Sequence, residues 1–437
     1  MSTKRERIAE LARRNPAMVL TSLNHYLDEE WLRYAYELTR KDGAVGIDGQ
    51  TAAQYEENLE ENLCSLLERI KSGRYHAPPV RRVYIPKADG AKRPLGIPTF
   101  EDKVAQRAIV LLLEPIYEQT FFHGSFGFRP GRSAHQALQH LRTRILKNRG
   151  HWVLDVDVRR YFETIDHGHL RDFLARRVVD GGVRRMIDKW LKAGVLEEEQ
   201  WRRTEQGTPQ GGVISPLLAN VYLHYVLDEW YERDVVPRMK RPSTLVRYGD
   251  DFVMAFEDLL DCIRVQRVLG KRLERFGLSL HPEKTRMVDF RFNRPNGERH
   301  PATQATTFVF LGFLHVWGKS RRGKNVVIQR TANDRYARAL RSVRLWCKTN
   351  RHRPLAFQHA MLVRKMQGHY AYYGITGNSK RLGWYAYQVA RVWRFWLARR
   401  TRGWRLRWDR FNVLLARYPL PPPRIVHRYT VAGEAAP

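Results

Sequence analysis

Tyr248-Gly249-Asp250-Asp251 places two adjacent acids at a tight turn between two β-prone segments, residues 244–246 and 252–254. Glycine accepts positive φ and aspartate tolerates it, so the pattern predicts a β-hairpin with both carboxylates at its tip. Two carboxylates this close raise each other's pKa unless a divalent cation lies between them, and Mg²⁺ prefers such hard oxygen ligands. A lone acidic pair is most often a solvated turn, so the interpretation as a metal site depends on the rest of the chain.

A strand-like segment upstream supplies the third acid that such a site needs. Asp155 and Asp157 alternate with apolar residues in 151–158, at the period of a strand, and therefore share one face. Metal-dependent nucleotidyl transfer needs a carboxylate from a second strand, so that two ions can hold the attacking hydroxyl and the leaving pyrophosphate. We predict that Asp157, Asp250 and Asp251 are catalytic and bind two Mg²⁺ ions. Asp155 is the alternative, and is otherwise a partly buried structural acid.

Ten short motifs follow one another over most of residues 40–315: 44–49, 83–87, 93–98, 125–133, 157–162, 206–211, 215–220, 248–251, 277–285 and 310–313. Their order resembles that of the group II intron-encoded reverse transcriptase/maturase family. The resemblance implies a right-hand polymerase of the α+β class, with fingers, a palm built on an antiparallel sheet, and an all-helical thumb/maturase domain.

The resemblance and shifts in composition together predict four segments. Residues 1–74 form a helical extension and the start of the fingers, and 75–318 form the fingers and palm. Residues 319–418 form a helical thumb/maturase (X) domain, and 419–437 form a Pro-rich, extended tail. The run 318–323, rich in glycine and basic residues, is the clearest boundary. Apolar spacing predicts helices at 15–40, 216–225, 331–349, 355–374, 382–400 and 405–417.

Gly249 departs from the family pattern. The family usually carries alanine at this position, and the Gly-Asp-Asp string is better known from RNA-dependent RNA polymerases. Phe162, five positions beyond Asp157, falls where the resemblance places the residue beneath the incoming sugar, and its ring would collide with a 2′-hydroxyl. We therefore expect dNTPs as substrates and interpret Gly249 as extra room near the primer end. An RNA polymerase would have to use ribonucleotides despite Phe162.

Further candidate nucleotide-binding residues lie in two loops and one turn. Lys87 and Arg93 flank a Gly-containing turn between extended segments, from which two cations could reach a triphosphate. Residues 206–212 contain one proline and three glycines, so they predict a loop that brings Gln210 and exposed backbone close to a base pair. Lys284 is a candidate to assist the departing pyrophosphate. Each cation could instead be an ordinary solvated charge.

The charge balance independently favours a nucleic-acid partner. The formal net charge is +32 over 437 residues, and such a field attracts polyanions. From Lys319 to the end, 119 residues carry only three acids. Four arginines repeat every three positions and would form a basic stripe along a helix, which we call the basic stripe: Arg335, Arg338, Arg341 and Arg344. They are the candidate RNA-binding residues. The alternative is that they form an ordinary solvated helix face.

The same C-terminal region contains residues 369–378, which resemble the maturase domain of the family. This resemblance implies that the chain binds the parent intron RNA and helps it to splice, besides using an RNA template, a DNA primer or target, and dNTPs. The aromatics interleaved with arginine in this region can stack bases or pack helices together, and we expect most of them in the core. The oligomeric state is not predicted.

The chain shows no signal-peptide pattern and no apolar run long enough to span a membrane. We therefore expect a bacterial cytoplasmic protein that joins the nucleoid during mobility of the retroelement. Its three cysteines are isolated, so a structural zinc site is not expected. The Cys- and His-containing endonuclease domain of many relatives is not recognisable, and a primer would then come from elsewhere, for example a replication fork.

The main hypothesis is an RNA-directed DNA polymerase with maturase activity, acting as a ribonucleoprotein with a group II intron. One alternative is an intron-independent reverse transcriptase used in phage defence or DNA repair. Another is an RNA-binding splicing chaperone that does not polymerise. The three acids argue against a pure chaperone, because a binding protein has no reason to hold repelling carboxylates together.

Overall fold

The computed structural model describes residues 2–86, 90, 92–197, 200–202, 206–208, 211–292, 305–320, 322–400 and 406–429, and it confirms an α+β fold. The helices are α1 (Ser2–Arg14), α2 (Glu29–Glu37), α3 (Ala52–Glu56), α4 (Leu59–Lys71), α5 (Phe100–Tyr117), α6 (Ala134–Lys147), α7 (Tyr161–Thr164), α8 (His167–Ala175), α9 (Gly181–Lys192), α10 (Ser215–Leu223), α11 (Leu259–Glu274), α12 (Asn333–Asn350), α13 (Leu355–Tyr373), α14 (Ser379–Leu397) and α15 (Trp408–Arg417). The strands are β1 (Val80–Pro86), β2 (Lys92–Ile97), β3 (Trp152–Val156), β4 (Val195–Glu197), β5 (Gln200–Arg202), β6 (Ser243–Tyr248), β7 (Asp251–Phe256), β8 (Arg286–Asp289), β9 (Phe308–Phe310), β10 (Phe313–Lys319) and β11 (Asn325–Thr331).

The strands form three sheets, with the orders β2-β1-β4-β5, β6-β7-β3-β8 and β11-β10-β9. In the first sheet, β1 pairs antiparallel with β2, and Pro86 lies opposite Lys92. The expected pair of extended segments around Arg93 is therefore present. Lys87, the residue that follows β1 in the sequence, lies outside the described residues.

The chain divides into two compact units. The first unit comprises Met1–Ala137, Val156–Met254 and Asp258–Thr285, and the second comprises the remaining residues. The predicted boundary at 318–323 falls at the tip of the β10–β11 hairpin, where Lys319 pairs with Asn325 inside the second unit.

Helices α5 and α10 form the core of the first unit. Both are apolar around most of their circumference, which is typical of a helix enclosed by other elements. The prediction that the helix after Pro216 packs in the core is confirmed, since Leu217, Leu218, Val221 and Tyr222 are all buried.

The prediction of one helix over residues 15–40 is wrong. Only α2 is a regular helix in this range, and it begins after Asp28, whose carboxylate accepts the N–H of Trp31 as an N-cap. Leu20 instead forms a parallel bridge, and its N–H donates to the carbonyl oxygen of Arg177 at 2.8 Å. The apolar spacing in residues 15–40 correctly indicated which residues are buried, such as Leu20, Leu23 and Leu27, but it did not indicate their backbone conformation.

Helices α12–α15 of the second unit lie close to their predicted positions. They share one apolar cluster, in which Tyr370, Tyr385, Trp393 and Phe411 are buried. The structure confirms a core position for these four aromatics, whereas Trp384, Tyr387 and Trp408 are exposed, so the expectation that most of the region's aromatics lie in the core is met only in part. No helix in the described part of the chain combines the length and the apolarity required to cross a bilayer.

The segment after α15 runs back along α13 as an extended strap, which we define as residues 419–429. The N–H of Val426 donates to the carbonyl oxygen of Gly374 at 2.7 Å, and the N–H of Thr376 donates to the carbonyl oxygen of His427 at 3.1 Å. The expected extended conformation is therefore present, although this strap is hydrogen-bonded to the end of α13 and the turn that follows it. Residues 430–437 lie outside the described range.

Tyr429 anchors the end of the strap. Its hydroxyl donates to the side-chain oxygen of Gln329 on β11, and its ring lies 4.4 Å from the guanidinium of Arg142 on α6. Gln329 itself donates to the backbone carbonyl oxygen of Leu138 at 2.9 Å. The strap thus joins parts of the second unit that are distant in sequence.

We expect Tyr429→Ala to lower the free energy of unfolding by about 2 kcal/mol, because it removes a packed ring and a hydrogen bond. Hydrogen exchange at the Thr376 and Val426 amides should accelerate, since both amides form strap hydrogen bonds. Arg428→Ala, at the exposed neighbouring position, is the matched control. Equal stability and exchange in both variants would contradict the anchoring role.

Candidate active site

The turn between β6 and β7 has the predicted hairpin form. Gly249 adopts φ +67°, the left-handed conformation that glycine reaches without strain, and β7 begins at Asp251. Asp250 is half-buried and Asp251 is exposed. The two adjacent acids are therefore presented at the hairpin tip.

A buried ion pair lies directly beneath this turn. The Arg247 guanidinium donates to Asp228 through Nε at 2.9 Å and through Nη2 at 2.6 Å, and both side chains are completely buried. The remaining nitrogen, Nη1, donates to the Asn220 side-chain oxygen at 2.8 Å and to the Gly249 carbonyl oxygen at 3.0 Å. This bidentate pair neutralises the buried charge and leaves one donor to fix the backbone of the turn.

Gly127 lies against the same turn. The N–H of Phe126 donates to the carbonyl oxygen of Arg247 at 2.8 Å, so this segment runs alongside β6. A Cβ atom on Gly127 would lie 2.2 Å from the backbone nitrogen of Gly249, closer than any side chain permits. Asn220 donates to the Gly127 carbonyl oxygen at 2.8 Å and so joins this segment to the ion pair.

The interpretation of Gly249 as spare room is wrong. A Cβ atom there would lie 2.9 Å from Cε2 of Phe128, because the Phe128 ring occupies that space. The ring lies 6.4 Å from the ring of Tyr248, and Phe128 itself adopts φ +58°. Gly249 thus allows an aromatic side chain to approach the turn.

Asp157 is held by the segment around residues 279–285. Its carbonyl oxygen accepts the N–H of His281 at 2.8 Å, and its carboxylate lies 3.2 Å from the ammonium of Lys284. The structure therefore brings together two of the predicted site residues, Asp157 and Lys284. Asp155 forms an ion pair at 3.1 Å with Arg286, its partner on β8, which favours the structural interpretation of Asp155.

Asp250 lies within electrostatic reach of Asp157. Burial raises the pKa of Asp250, and the negative charge of Asp157 raises it further, whereas a backbone hydrogen bond and the cations of Arg93 and Arg247 lower it. A cation near both carboxylates would relieve this repulsion, and carboxylate oxygens are the donors that Mg²⁺ prefers. Within the described residues, no group of three or more His, Cys, Asp or Glu side chains is arranged to hold a metal ion. The joint site of Asp157, Asp250 and Asp251 stays a prediction.

Phe162 is buried, and its backbone is joined to the predicted loop at 206–212. Its carbonyl oxygen accepts the N–H of Thr208 at 2.8 Å. Gly207 adopts φ +84°, and a Cβ atom there would lie 2.7 Å from the same oxygen. The described part of the loop therefore packs directly against α7, which carries the predicted sugar-contacting residue.

The residues that follow this loop are held by two buried polar side chains, Gln106 and Asp102. The N–H of Ile214 donates to the side-chain oxygen of Gln106, whose amide donates to Asp102 at 2.9 Å. Asp102 also accepts from the Tyr75 hydroxyl and the Trp190 indole, both at 2.5 Å. Burial raises the pKa of Asp102 to about 6, although these three hydrogen bonds favour its ionised form.

Comparison with known proteins decides the family. The family model described as reverse transcriptase (RNA-dependent DNA polymerase) matches residues 85–315. The chain belongs to the reverse transcriptase family. It is an RNA-directed DNA polymerase with the right-hand polymerase fold that this family implies. Protein YkfC of Escherichia coli (strain K12) is 31% identical over 363 residues, which cover 75% of this chain and 91% of that protein.

Other relatives of this reverse transcriptase are intron proteins, which confirms the predicted relationship to group II intron-encoded enzymes. The group II intron-encoded protein LtrA of Lactococcus lactis subsp. cremoris is 41% identical over 224 residues, covering 50% of this chain and 37% of LtrA. Nuclear intron maturase 4, mitochondrial, of Arabidopsis thaliana is 26% identical over 203 residues, covering 46% of this chain and 24% of that protein. The chain thus spans well under half the length of these two relatives.

The structure of the reverse transcriptase places the other predicted site residues as follows. Arg93 is exposed on β2, and its charge reaches Asp250. Lys87 and Gln210 lie outside the described residues. The members of the basic stripe are all exposed on α12 of the second unit: Arg335, Arg338, Arg341 and Arg344.

The sequence analysis did not identify Arg247 and Asp228, although a signal was present. Arg247 alternates with Leu245 in an apolar strand and therefore points to the same, buried face. A charged side chain at such a position requires a partner, because burial of an unpaired charge is very costly. The partner, Asp228, follows the apolar residues Val226 and Leu227, which are also fully buried.

We expect Asp228→Asn to destabilise the enzyme by about 3–5 kcal/mol, because it leaves the buried Arg247 charge without a counterion. Replacing both residues, as Arg247→Met with Asp228→Leu, should recover much of this loss, since no charge then remains buried. The double variant should still polymerise poorly, because the Gly249 carbonyl oxygen has lost its donor. Urea unfolding measures the change in stability, and primer extension measures the loss of polymerisation. Full activity in the double variant would refute the positioning role of Arg247.

Asp250→Asn should stabilise the metal-free enzyme at neutral pH. Burial raises the pKa of Asp250 above its value in the unfolded chain, so ionisation opposes folding as the pH rises through the folded pKa. With a chelator present, the gain in unfolding free energy should disappear below about pH 4, where both states are protonated. Urea unfolding at both pH values tests this, with Asp251→Asn at the exposed neighbour as control. A gain that persists in acid would indicate a packing effect instead of ionisation.

Proposed function

We propose that this reverse transcriptase extends a DNA primer along an RNA template at the Asp250 turn, and that it also binds a group II intron RNA, assists its splicing and supports its retromobility. The observation that carries the catalytic assignment is that the charge of Asp157 raises the pKa of Asp250, so these two carboxylates from distant parts of the chain lie within electrostatic reach of each other. The described surroundings supply cations close to both acids, namely Lys284 and Arg93.

In this proposal Asp157, Asp250 and Asp251 hold two Mg²⁺ ions. Bound there, the ions would activate the primer 3′-hydroxyl and stabilise charge on the leaving pyrophosphate. Arg93, on the fingers hairpin, would pair with the triphosphate, and its attraction to the Asp250 region supports that position. Lys284 Nζ would donate to a phosphate oxygen beside Asp157, to which it now pairs. Lys87 and Gln210 remain candidate nucleotide contacts.

Phe162 would select deoxynucleotides. Its burial and the hydrogen bond from Thr208 fix its backbone, so a 2′-hydroxyl could not easily displace the ring. A closely packed ring that cannot move excludes a 2′-hydroxyl by steric overlap.

The basic stripe would bind phosphates of the intron RNA. Asp334 lies 3.3 Å from Arg335 and 4.0 Å from Arg338, so it partly neutralises that end. Among the described residues, no ion pair is found for Arg341 or Arg344. These two arginines should therefore contribute more to RNA binding than Arg335 and Arg338. The proposal includes a DNA target and action in the bacterial cytoplasm, at the nucleoid during mobility.

On a primed RNA template with Mg²⁺, we expect extension with dNTPs and not with rNTPs. Asp157→Asn and Asp250→Asn should each lower the rate by at least ~10³-fold, because metal positioning supplies several kcal/mol of barrier lowering. Single-turnover primer extension is the measurement.

Asp155→Asn is the matched control for Asp157→Asn, since both acids lie at the end of the same strand segment. Asp155 pairs with Arg286 and should not contribute to the chemical step. A loss as large as that of Asp157→Asn would reverse the assignment of the two acids. Extension with rNTPs at a comparable rate would reject the role given to Phe162.

We expect Arg341→Glu with Arg344→Glu to weaken binding of the intron RNA transcribed from the flanking DNA. The slope of log K against log salt should fall by about 2, since two phosphate contacts are lost. The same changes at Arg335 and Arg338 should have smaller effects because of Asp334. Arg417→Glu with Arg424→Glu, exposed elsewhere in the second unit, is the charge-matched control. Equal losses in test and control would show that only net charge matters.

A further inference from the structure

Helix α14 has two contrasting faces. Its buried face packs into the apolar cluster of the second unit through residues at a spacing of three and four: Leu382, Tyr385, Val389 and Trp393. Its exposed face has the same spacing but a different composition, with two aromatic residues between two cations: Lys380, Trp384, Tyr387 and Arg391. The exposed aromatics are thus not needed to complete this core.

The exposed rings form a continuous row. Trp384 is 59% exposed, Tyr387 48% and Trp408, at the start of α15, 37%. The ring centroids of Trp384 and Tyr387 are 5.9 Å apart, and the rings of Tyr387 and Trp408 are parallel within 6° at 6.3 Å. Single exposed apolar side chains are ordinary, but adjacent exposed rings indicate a binding surface.

The charges around this row favour a polyanion. The Arg391 guanidinium lies 5.7 Å from the Tyr387 ring centroid, and that of Arg394 lies 4.5 Å from the Trp408 ring centroid. Helix α14 contains no acid, and α15 contains only Asp409. Flat rings between cations match the alternation of bases and phosphates in a nucleic acid strand.

We infer that this face of α14 binds a short run of unpaired RNA nucleotides. The bases would stack on Trp384, Tyr387 and Trp408, and the phosphates would pair with Lys380 and Arg391, whose Cα atoms are about 16 Å apart along the helix. A duplex does not fit this chemistry, because its base faces are already stacked on one another. The inference deepens the proposed function, on which the choice of RNA as partner rests.

Binding of a labelled oligoadenylate RNA, measured by fluorescence anisotropy with the full chain, tests the site. The double variant Trp384→Ala with Tyr387→Ala should bind about tenfold or more weakly, since stacking contributes on the order of 1–3 kcal/mol per base. Trp384→Phe with Tyr387→Phe keeps both rings and should retain most of the affinity. Leu345→Ala, which removes an equally exposed apolar side chain from α12, is the matched control and should change nothing.

Two further measurements distinguish stacking from charge and from misfolding. Arg391→Gln should lower the salt slope by about 0.7, the value for one phosphate of a single strand, whereas the ring variants should leave the slope unchanged. Binding of a blunt RNA duplex should be the same for wild type and the ring variants. An equal loss for duplex and single strand would overturn the inference, because it would reflect a general defect in the second unit.

The remaining outcomes are also decisive. Unchanged oligoadenylate affinity in the double alanine variant would overturn the stacking site, whatever the polymerase does. Tighter binding of the same sequence as single-stranded DNA would reassign the face from RNA to DNA. A change in self-association, with no change in RNA affinity, would assign the face to a second copy of the chain. Primer extension by wild type tests the proposed function separately, since the stacking row is not part of the catalytic site.

Discussion

The fully buried pair of Arg247 and Asp228 supports the turn that carries Asp250 and Asp251. A guanidinium without access to water must satisfy its donors within the protein, and here Asp228, Asn220 and the Gly249 carbonyl oxygen accept them. The same arrangement restricts Gly127, whose backbone touches the turn and whose carbonyl oxygen accepts from Asn220. The position of Asp250 and Asp251 thus depends on neutralising a charge that is completely buried.

The proposed catalytic centre combines this rigid support with electrostatic repulsion. Asp250 is partly removed from water and lies near another carboxylate, an arrangement that opposes ionisation in the metal-free chain. Arg93 and Lys284 each offset part of the negative charge. Such an arrangement lowers the free energy of unfolding, but it allows the acids to attract cations and the cations to attract nucleotides. Local destabilisation of this kind is common at functional sites.

Features governed by local chemistry could be predicted from the sequence. The Gly249 turn, the core position of α10 and the locations of α13 and α15 follow from glycine conformation and apolar spacing. Features governed by distant contacts could not. The acid that pairs with Arg247, the bridge that makes Leu20 extended, and the Phe128 ring beside Gly249 all depend on residues that only the fold brings together.

The strap gives the second unit an unusual mechanical connectivity. Because residues 419–429 return from α15 to the end of α13, a force applied beyond Tyr429 reaches the bridge between Ile375 and His427 before it reaches α15. The strap therefore ends, at Tyr429, beside the turn between α13 and α14. A fluorophore or affinity handle attached there would report on that turn, and not on the far end of the helical bundle.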